Sequence, residues 1–162
     1  MASLNYPVVL QADDNGAILV TFPDIPEAAT YGDDRADALA HAVDALDAAI
    51  AFRVRDKEDI PTPSPARGRP TVTLPLQTVL KALIYQTMRD NGVRKATLKR
   101  RLGWNDPQVD RLLDPRHATR LAHLDAAIKA LGFEVDVRMR PLPTARKPAK
   151  QARRSRQAVA AE

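Results

Sequence analysis

Apolar and polar positions along this chain change period where its secondary structure should change. From Tyr6 to Asp14, YPVVLQADD reads as a strand. Asn15-Gly16 follows, a dipeptide that closes hairpins because both residues tolerate positive φ, and AILVTFPDI returns as a second strand. A third short strand fits EAATYG, ended by Gly32. From Asp34 the period becomes helical: Leu39, Ala42, Val43, Leu46 and Ile50 form one apolar stripe. Asp33 or Asp34 supplies the N-cap, and Asp37 lies at the start, where the macrodipole favours an acid. TVTLP then adds a strand that closes the sheet. The order β-β-β-α-β predicts an α+β layer pair of one sheet and one helix.

The second half has helical spacing almost throughout. PLQTVLKALIYQTMRDNG places Val79, Leu80, Leu83, Ile84 and Met88 on one face, with Gly92 beyond its end. A short helix carrying Leu98 and Leu102 stops at Gly103. Another begins at Asn105 or Asp106, with Pro107 in its first turn and Val109, Leu112 and Leu113 facing inward. Leu121, Leu124, Ile128 and Leu131 then recur in register on a last helix. Two short helices around a glycine turn, braced by two longer ones, read as an all-α helix-turn-helix domain. Finally Phe133, Val135, Val137 and Met139 alternate with charges up to Arg140. A lone strand is marginal by itself, so it should pair with a second copy in a dimer or higher assembly, or else pack on its own helices.

Composition marks the boundaries. IPTPSPARGRP has four prolines and no apolar period, giving a loop over residues 61–70 between a domain at 3–75 and one at 76–140. Residues 141–162 are rich in Pro, Ala and Arg and should be a disordered tail. Charge separates in the same way. Residues 1–60 hold 12 acids and 4 bases, a net of −8, while 61–140 hold 15 bases and 7 acids, a net of +8. The last 22 residues add 6 bases and one acid, a net of +5. The basic part suits a nucleic acid and the acidic part a basic protein. There is no cysteine, no apolar run of membrane-spanning length, and no basic stretch before the first apolar run, so a soluble cytoplasmic protein is expected.

The acids of FPDIPEAATYGDD raise the question of a metal-dependent nuclease, whose carboxylates converge on ions roughly 3.5–4 Å apart. Each acid instead has a local use: Asp13 and Asp14 flank a turn, Asp24 sits in a Pro-bounded loop, and Asp33 and Asp34 lie at a helix start. His41 has no nucleophile beside it in sequence. We therefore expect no enzyme, no metal and no cofactor. In the helix-turn-helix, the second short helix enters the major groove by its N-terminal residues, here Asn105, Gln108 and Arg111. Asn and Gln suit adenine and Arg suits guanine. Arg94, Lys95, Lys99, Arg100 and Arg101 load the preceding helix with positive charge for phosphates, and Arg116 and His117, in the loop DPRHAT after the second short helix, add phosphate contacts.

At these residues a family becomes recognisable. The opening Tyr-Pro, the Asp-Asn-Gly turn, Phe-Pro-Asp-Ile-Pro, Tyr31-Gly32-Asp33, the Ala-Leu-rich helix and IPTPS together resemble the HicB antitoxins of toxin–antitoxin pairs, over Asn5 to Ser64. That resemblance implies an N-terminal domain like a ribonuclease H fold without its catalytic acids. It implies a partner, a HicA-like mRNA-cleaving toxin, bound by a face that includes Phe22, Asp24, Glu27, Tyr31 and Asp33, and repression of the shared operon through operator DNA. The C-terminal spacing resembles the phage-repressor-like group, from which Lys99 and Trp104 depart: the first position is usually small, the second Val or Ile. Lys99 can snorkel and Trp104 can add apolar bulk. The rival readings are a ligand-sensing helix-turn-helix repressor without a toxin partner, and a metal-dependent nuclease.

Overall fold

The computed structural model describes residues 4–139. The elements run β1 (Asn5–Pro7), β2 (Val9–Ala12), β3 (Ile18–Thr21), β4 (Ala29–Gly32), α1 (Arg35–Asp56), β5 (Thr71–Thr73), α2 (Leu76–Asp90), α3 (Lys95–Leu102), α4 (Asp106–Leu113) and α5 (Leu121–Ala130). The described residues are thus mixed α and β, with five helices and two small sheets rather than the single sheet expected.

The expected first strand is split. β2, β3 and β4 form an antiparallel sheet, with Val9 opposite Thr21, whereas β1 pairs antiparallel with β5, Tyr6 opposite Val72. Between β1 and β2, Val8 donates its N–H to the Pro70 carbonyl at 2.9 Å. The break has a cause: β3 ends at Thr21, ahead of Phe22-Pro23, and Pro23 has no N–H to extend the ladder. β1 therefore takes its partner from the far end of the proline-rich loop. Alternation still continues across the break, with Tyr6 and Val8 buried and Val9 exposed, so both sheets present apolar side chains to one core. The hairpin also differs from the two-residue turn expected. Asp13 and Ala17 close the loop through a 2.8 Å bond, and only Gly16 takes positive φ, at 85°.

α1 covers that core with Ala38, Ala42, Leu46 and Ile50. Asp34 is its N-cap, accepting from the N–H groups of Ala36 at 2.7 Å and Asp37 at 2.9 Å. Its end is a left-handed cap at Lys57, φ 60°, closed by bonds from Lys57 to the Val54 carbonyl and from Glu58 to the Arg53 carbonyl. Where β4 crosses the first turn of α1, only glycine fits: a Cβ on Gly32 would lie 2.2 Å from the Ala38 backbone nitrogen.

The proline-rich loop is pinned rather than loose. Tyr6 donates its hydroxyl to the Pro61 carbonyl at 2.7 Å, and burial pushes that phenol up to about 12. α2 then serves both halves. Leu80, Ile84 and Met88 enter a second core with Leu98, Val109, Leu112, Leu124 and Ile128. Val79, Ala82, Leu83 and Tyr85 pack on the first core, so the single apolar face expected of this helix is in fact two. Leu121, expected inward, is 66% exposed, because the buried stripe of α5 begins only at Leu124. Over Phe133–Met139 no strand forms within the chain, and Phe133, Val135, Val137 and Met139 are all exposed. The remainder of that expected strand, Arg140, and the expected tail at 141–162 lie outside the described residues.

Candidate functional site

Local sequence builds the α3–α4 pair. Gly103, at φ 66°, stops α3 and lets Trp104 return its N–H to the Lys99 carbonyl at 3.3 Å. Asn105, not Asp106, then caps α4 in a reciprocal box. Gln108 donates its N–H to Asn105 Oδ1 at 2.9 Å, and Asn105 donates its N–H to Gln108 Oε1 at 3.0 Å. Val109 and Leu112 bury one face of α4. Two ion pairs tie α3 to α4: Lys95 with Asp110, and Lys99 with Asp106 at 2.5 Å. The Lys99 ammonium holds the Asp106 carboxyl below the usual carboxylate range. Lys99 thus reaches outward from a half-buried position, and Trp104 packs on the second core with its ring edge-to-face against His123, 4.9 Å between centroids.

Beneath α4 lies a residue that the sequence reading passed over. Lys81 of α2 is 4% exposed, yet its ammonium donates to the carbonyls of Arg111 at 3.2 Å, Asp114 at 2.5 Å and His117 at 2.6 Å. Burial pushes its pKa down, opposed by the nearby Asp114 carboxylate. One turn earlier Gln77 spans the same loop, donating to the His117 carbonyl at 3.2 Å and accepting from the Thr119 N–H at 3.0 Å. The signal was present: Lys81 occupies the buried register shared with Ile84 and Met88, where a lysine needs an acceptor.

The expected DNA contacts fall in different circumstances. Arg94 and Arg111 are exposed and form no ion pair among the described residues. Lys95 is committed to Asp110, and Arg101 donates to the Ala130 carbonyl at 3.1 Å. Asn105 and Gln108 share their side-chain oxygens with the cap, and both residues are exposed. The Arg116 guanidinium stands 5.6 Å from the Phe52 ring centroid.

The expected docking face changes more. Phe22 is 1% exposed, part of the first core, so it is withdrawn from that face. Asp24 accepts from both the N–H and the hydroxyl of Ser64, at 2.9 and 3.1 Å, which anchors the proline-rich loop. Glu27 is paired with Arg53 at 2.5 Å, and that contact lowers its carboxyl pKa. Tyr31, 57% exposed, and Asp33 remain outward. Near them His41 donates from Nδ1 to the Tyr31 carbonyl at 2.8 Å, and this bond, with Asp37 second, raises its pKa. Among the described residues no group of His, Asp or Glu is placed to hold a metal ion, and no helix is long and apolar enough to cross a membrane.

Comparison with known proteins identifies the class. Residues 5–83 match the family model described as the HicB_like antitoxin of bacterial toxin–antitoxin system. Antitoxin HicB 1 of Photorhabdus laumondii subsp. laumondii is 37% identical over 133 residues, 82% of this chain and 85% of that relative. Antitoxin HicB of Escherichia coli strain K12 is 36% identical over 137 residues, 84% of this chain and 99% of the relative. Antitoxin HicB of Pseudomonas fluorescens strain Pf0-1 is 34% identical over 125 residues, covering 76% and 86%. The chain belongs to the HicB antitoxin family.

Proposed function

We propose that this antitoxin binds a small basic ribonuclease toxin resembling HicA through its acidic N-terminal half and covers the toxin's active site. The same chain, acting as a dimer or higher assembly in the bacterial cytoplasm, represses its operon by binding operator DNA. It is not itself an enzyme. Tyr31 and Asp33, with Asp34, Asp37 and Asp44 on the adjoining surface of α1, form the docking patch; opposite charge steers such an encounter. The antiparallel β2–β3–β4 sheet on α1 supports the reading of a ribonuclease H-like fold. α3 and α4 form the helix-turn-helix, with α4 in the major groove. The four exposed apolar residues of Phe133–Met139 support pairing with a second copy, which would set two α4 helices about one DNA turn apart.

The observation that carries the DNA reading is the capped N-terminus of α4. At its other end the helix is held by the Lys81 clamp on the carbonyls of Arg111, Asp114 and His117, and it presents Gln108 and Arg111 to solvent. Arg111→Ala should weaken operator binding by about 1–3 kcal/mol with little loss on random duplex. Gln108→Ala also removes half of a cap, so Gln108→Glu, which retains an oxygen acceptor for the Asn105 N–H, separates base reading from helix stability. Arg101→Ala should weaken both duplexes alike and lower the salt slope by about one unit. Equal losses of Arg111→Ala on operator and random duplex, across several salt concentrations, would sink the placement of α4. For the toxin arm, the product of the adjacent reading frame should lose its RNA cleavage at equimolar antitoxin.

A further inference from the structure

A second site lies between the two halves. The C-terminal part of α1, the end of α2, the start of α3 and the loop after α4 enclose a cleft of about 1000 Å³. Its walls are largely apolar, with Val54, Met88 and Leu113 among them, and Phe52 stands at its edge, 45% exposed. Six lining residues are Lys or Arg and two are Asp, so the cleft carries a strong positive excess. Ion pairs account for Arg55 with Asp56, Arg89 with Asp59, and Lys95 with Asp110. Arg94 and Arg116 form none among the described residues, and Arg116 is held over the Phe52 ring at 5.6 Å, with Arg55 at 4.6 Å.

Neither the toxin nor the duplex proposed above would fill the recess itself. A basic toxin would be repelled by the cations. A duplex backbone presents hydrated phosphates and has nothing to place against a recessed wall of Val, Met and Leu. A concave, mostly apolar cavity with a few convergent polar groups is instead the form of a small-molecule site. Guanidinium groups give a planar fork to carboxylate or phosphate and a flat face to a ring.

We propose that this cleft binds a small organic anion with a flat ring-sized body, its carboxylate or phosphate on Arg94 and Arg116 and its ring against Phe52 and Met88. Aromatic carboxylates and nucleoside monophosphates share this chemistry. Occupancy also sets an anion beside two of the arginines assigned above to DNA phosphates, so a bound ligand should lower operator affinity; that consequence rests on the operator reading, whereas binding itself does not.

Met88 is a built-in reporter. Full-length protein labelled at the methionine methyl groups would be titrated with 1-naphthoate, with AMP and GMP, with the neutral 2-naphthylmethanol and with inorganic phosphate. The Met88 resonance should shift with at least one of the two anion classes, and which one responds tells carboxylate from phosphate. The neutral alcohol and inorganic phosphate should bind at least tenfold more weakly. Arg116→Ala and Phe52→Ala should each reduce binding about tenfold, and Phe52→Leu, which keeps apolar bulk, guards against a folding defect by retaining part of it. Equal binding of the neutral alcohol, no Met88 shift with any anion, or unchanged binding in Arg116→Ala would each overturn the site. A Met88 shift without any fall in operator affinity would overturn the competition with DNA and leave the ligand site standing.

Discussion

Residues 1–75 alone should fail to fold cooperatively, whereas residues 1–91 should fold and neutralise the toxin. The difference is α2. Cutting at 75 removes Ala82, which is fully buried in the N-terminal core, together with Val79, Leu83 and Tyr85, which pack on it. It also removes the polar ties of that helix: Thr78 to Asp47 at 2.6 Å, Tyr85 to the Glu58 carbonyl at 2.8 Å, Gln86 to the Ile60 carbonyl at 3.1 Å, and Arg89 to Asp59. Burying even three such apolar side chains is worth on the order of 5 kcal/mol. That is comparable with the whole stability of a small domain. The longer fragment exposes the opposite face of α2, so Leu80→Lys and Met88→Gln should accompany it to keep it soluble. Circular-dichroism melts and co-purification with the toxin would decide. A sharp melt and full neutralisation from residues 1–75 would show that α2 belongs only to the C-terminal half.

Which parts of this molecule were legible in its sequence follows from how local their causes are. The caps of α1 and α4 lie within three residues of the groups they satisfy, so each could be narrowed to two neighbours, of which Asp34 and Asn105 are the caps. The helical stripe of α1 was equally plain, because Ala42, Leu46 and Ile50 face one uniform partner. The strand before it was not. Its division depends on Pro70, more than sixty positions away from Val8, whose carbonyl takes the Val8 N–H. α2 misled for a related reason: a helix between two cores carries apolar residues on two faces, which a periodicity reading merges into one. Phe22 sits in a segment otherwise rich in acids, whose resemblance to a docking face put it at the surface, whereas packing holds it inside. Asp24 keeps a structural role in its loop and Glu27 gains one, with Ser64 and Arg53, partners that no spacing rule supplies. The cleft was invisible altogether, since Phe52, Met88 and Arg116 meet only through the docking of α1 on α2 and α4.

Lys81→Met should destabilise the protein by about 2–4 kcal/mol and weaken operator binding further than this loss alone explains. A methionine matches the length of the lysine stem but donates nothing. The Asp114 carbonyl then loses its ammonium and keeps the His117 N–H at 3.2 Å, the Arg111 carbonyl keeps only a 3.4 Å contact from the Thr119 hydroxyl, and the His117 carbonyl keeps Gln77 and the Thr119 hydroxyl. The Arg111 carbonyl, nearest to unsatisfied, costs about 1–3 kcal/mol, the charge-assisted bonds lost at the other two carbonyls add to it, and relief from desolvating an ammonium offsets part of the total. These carbonyls belong to the last turn of α4 and the loop behind it, where a cation also answers the negative end of the helix dipole. Their release changes the tilt of α4, and with it the positions of Gln108 and Arg111 relative to a bound base. Chemical denaturation would give the stability term, and isotherms on operator and random duplex, taken where the variant remains folded, would give the rest. Operator affinity should fall at least tenfold while random-duplex affinity changes little, because phosphate contacts tolerate a tilt that base contacts do not. Stability within about 0.5 kcal/mol of the parent would place Lys81 among ordinary surface positions. Equal losses on both duplexes would make it a residue of the fold alone.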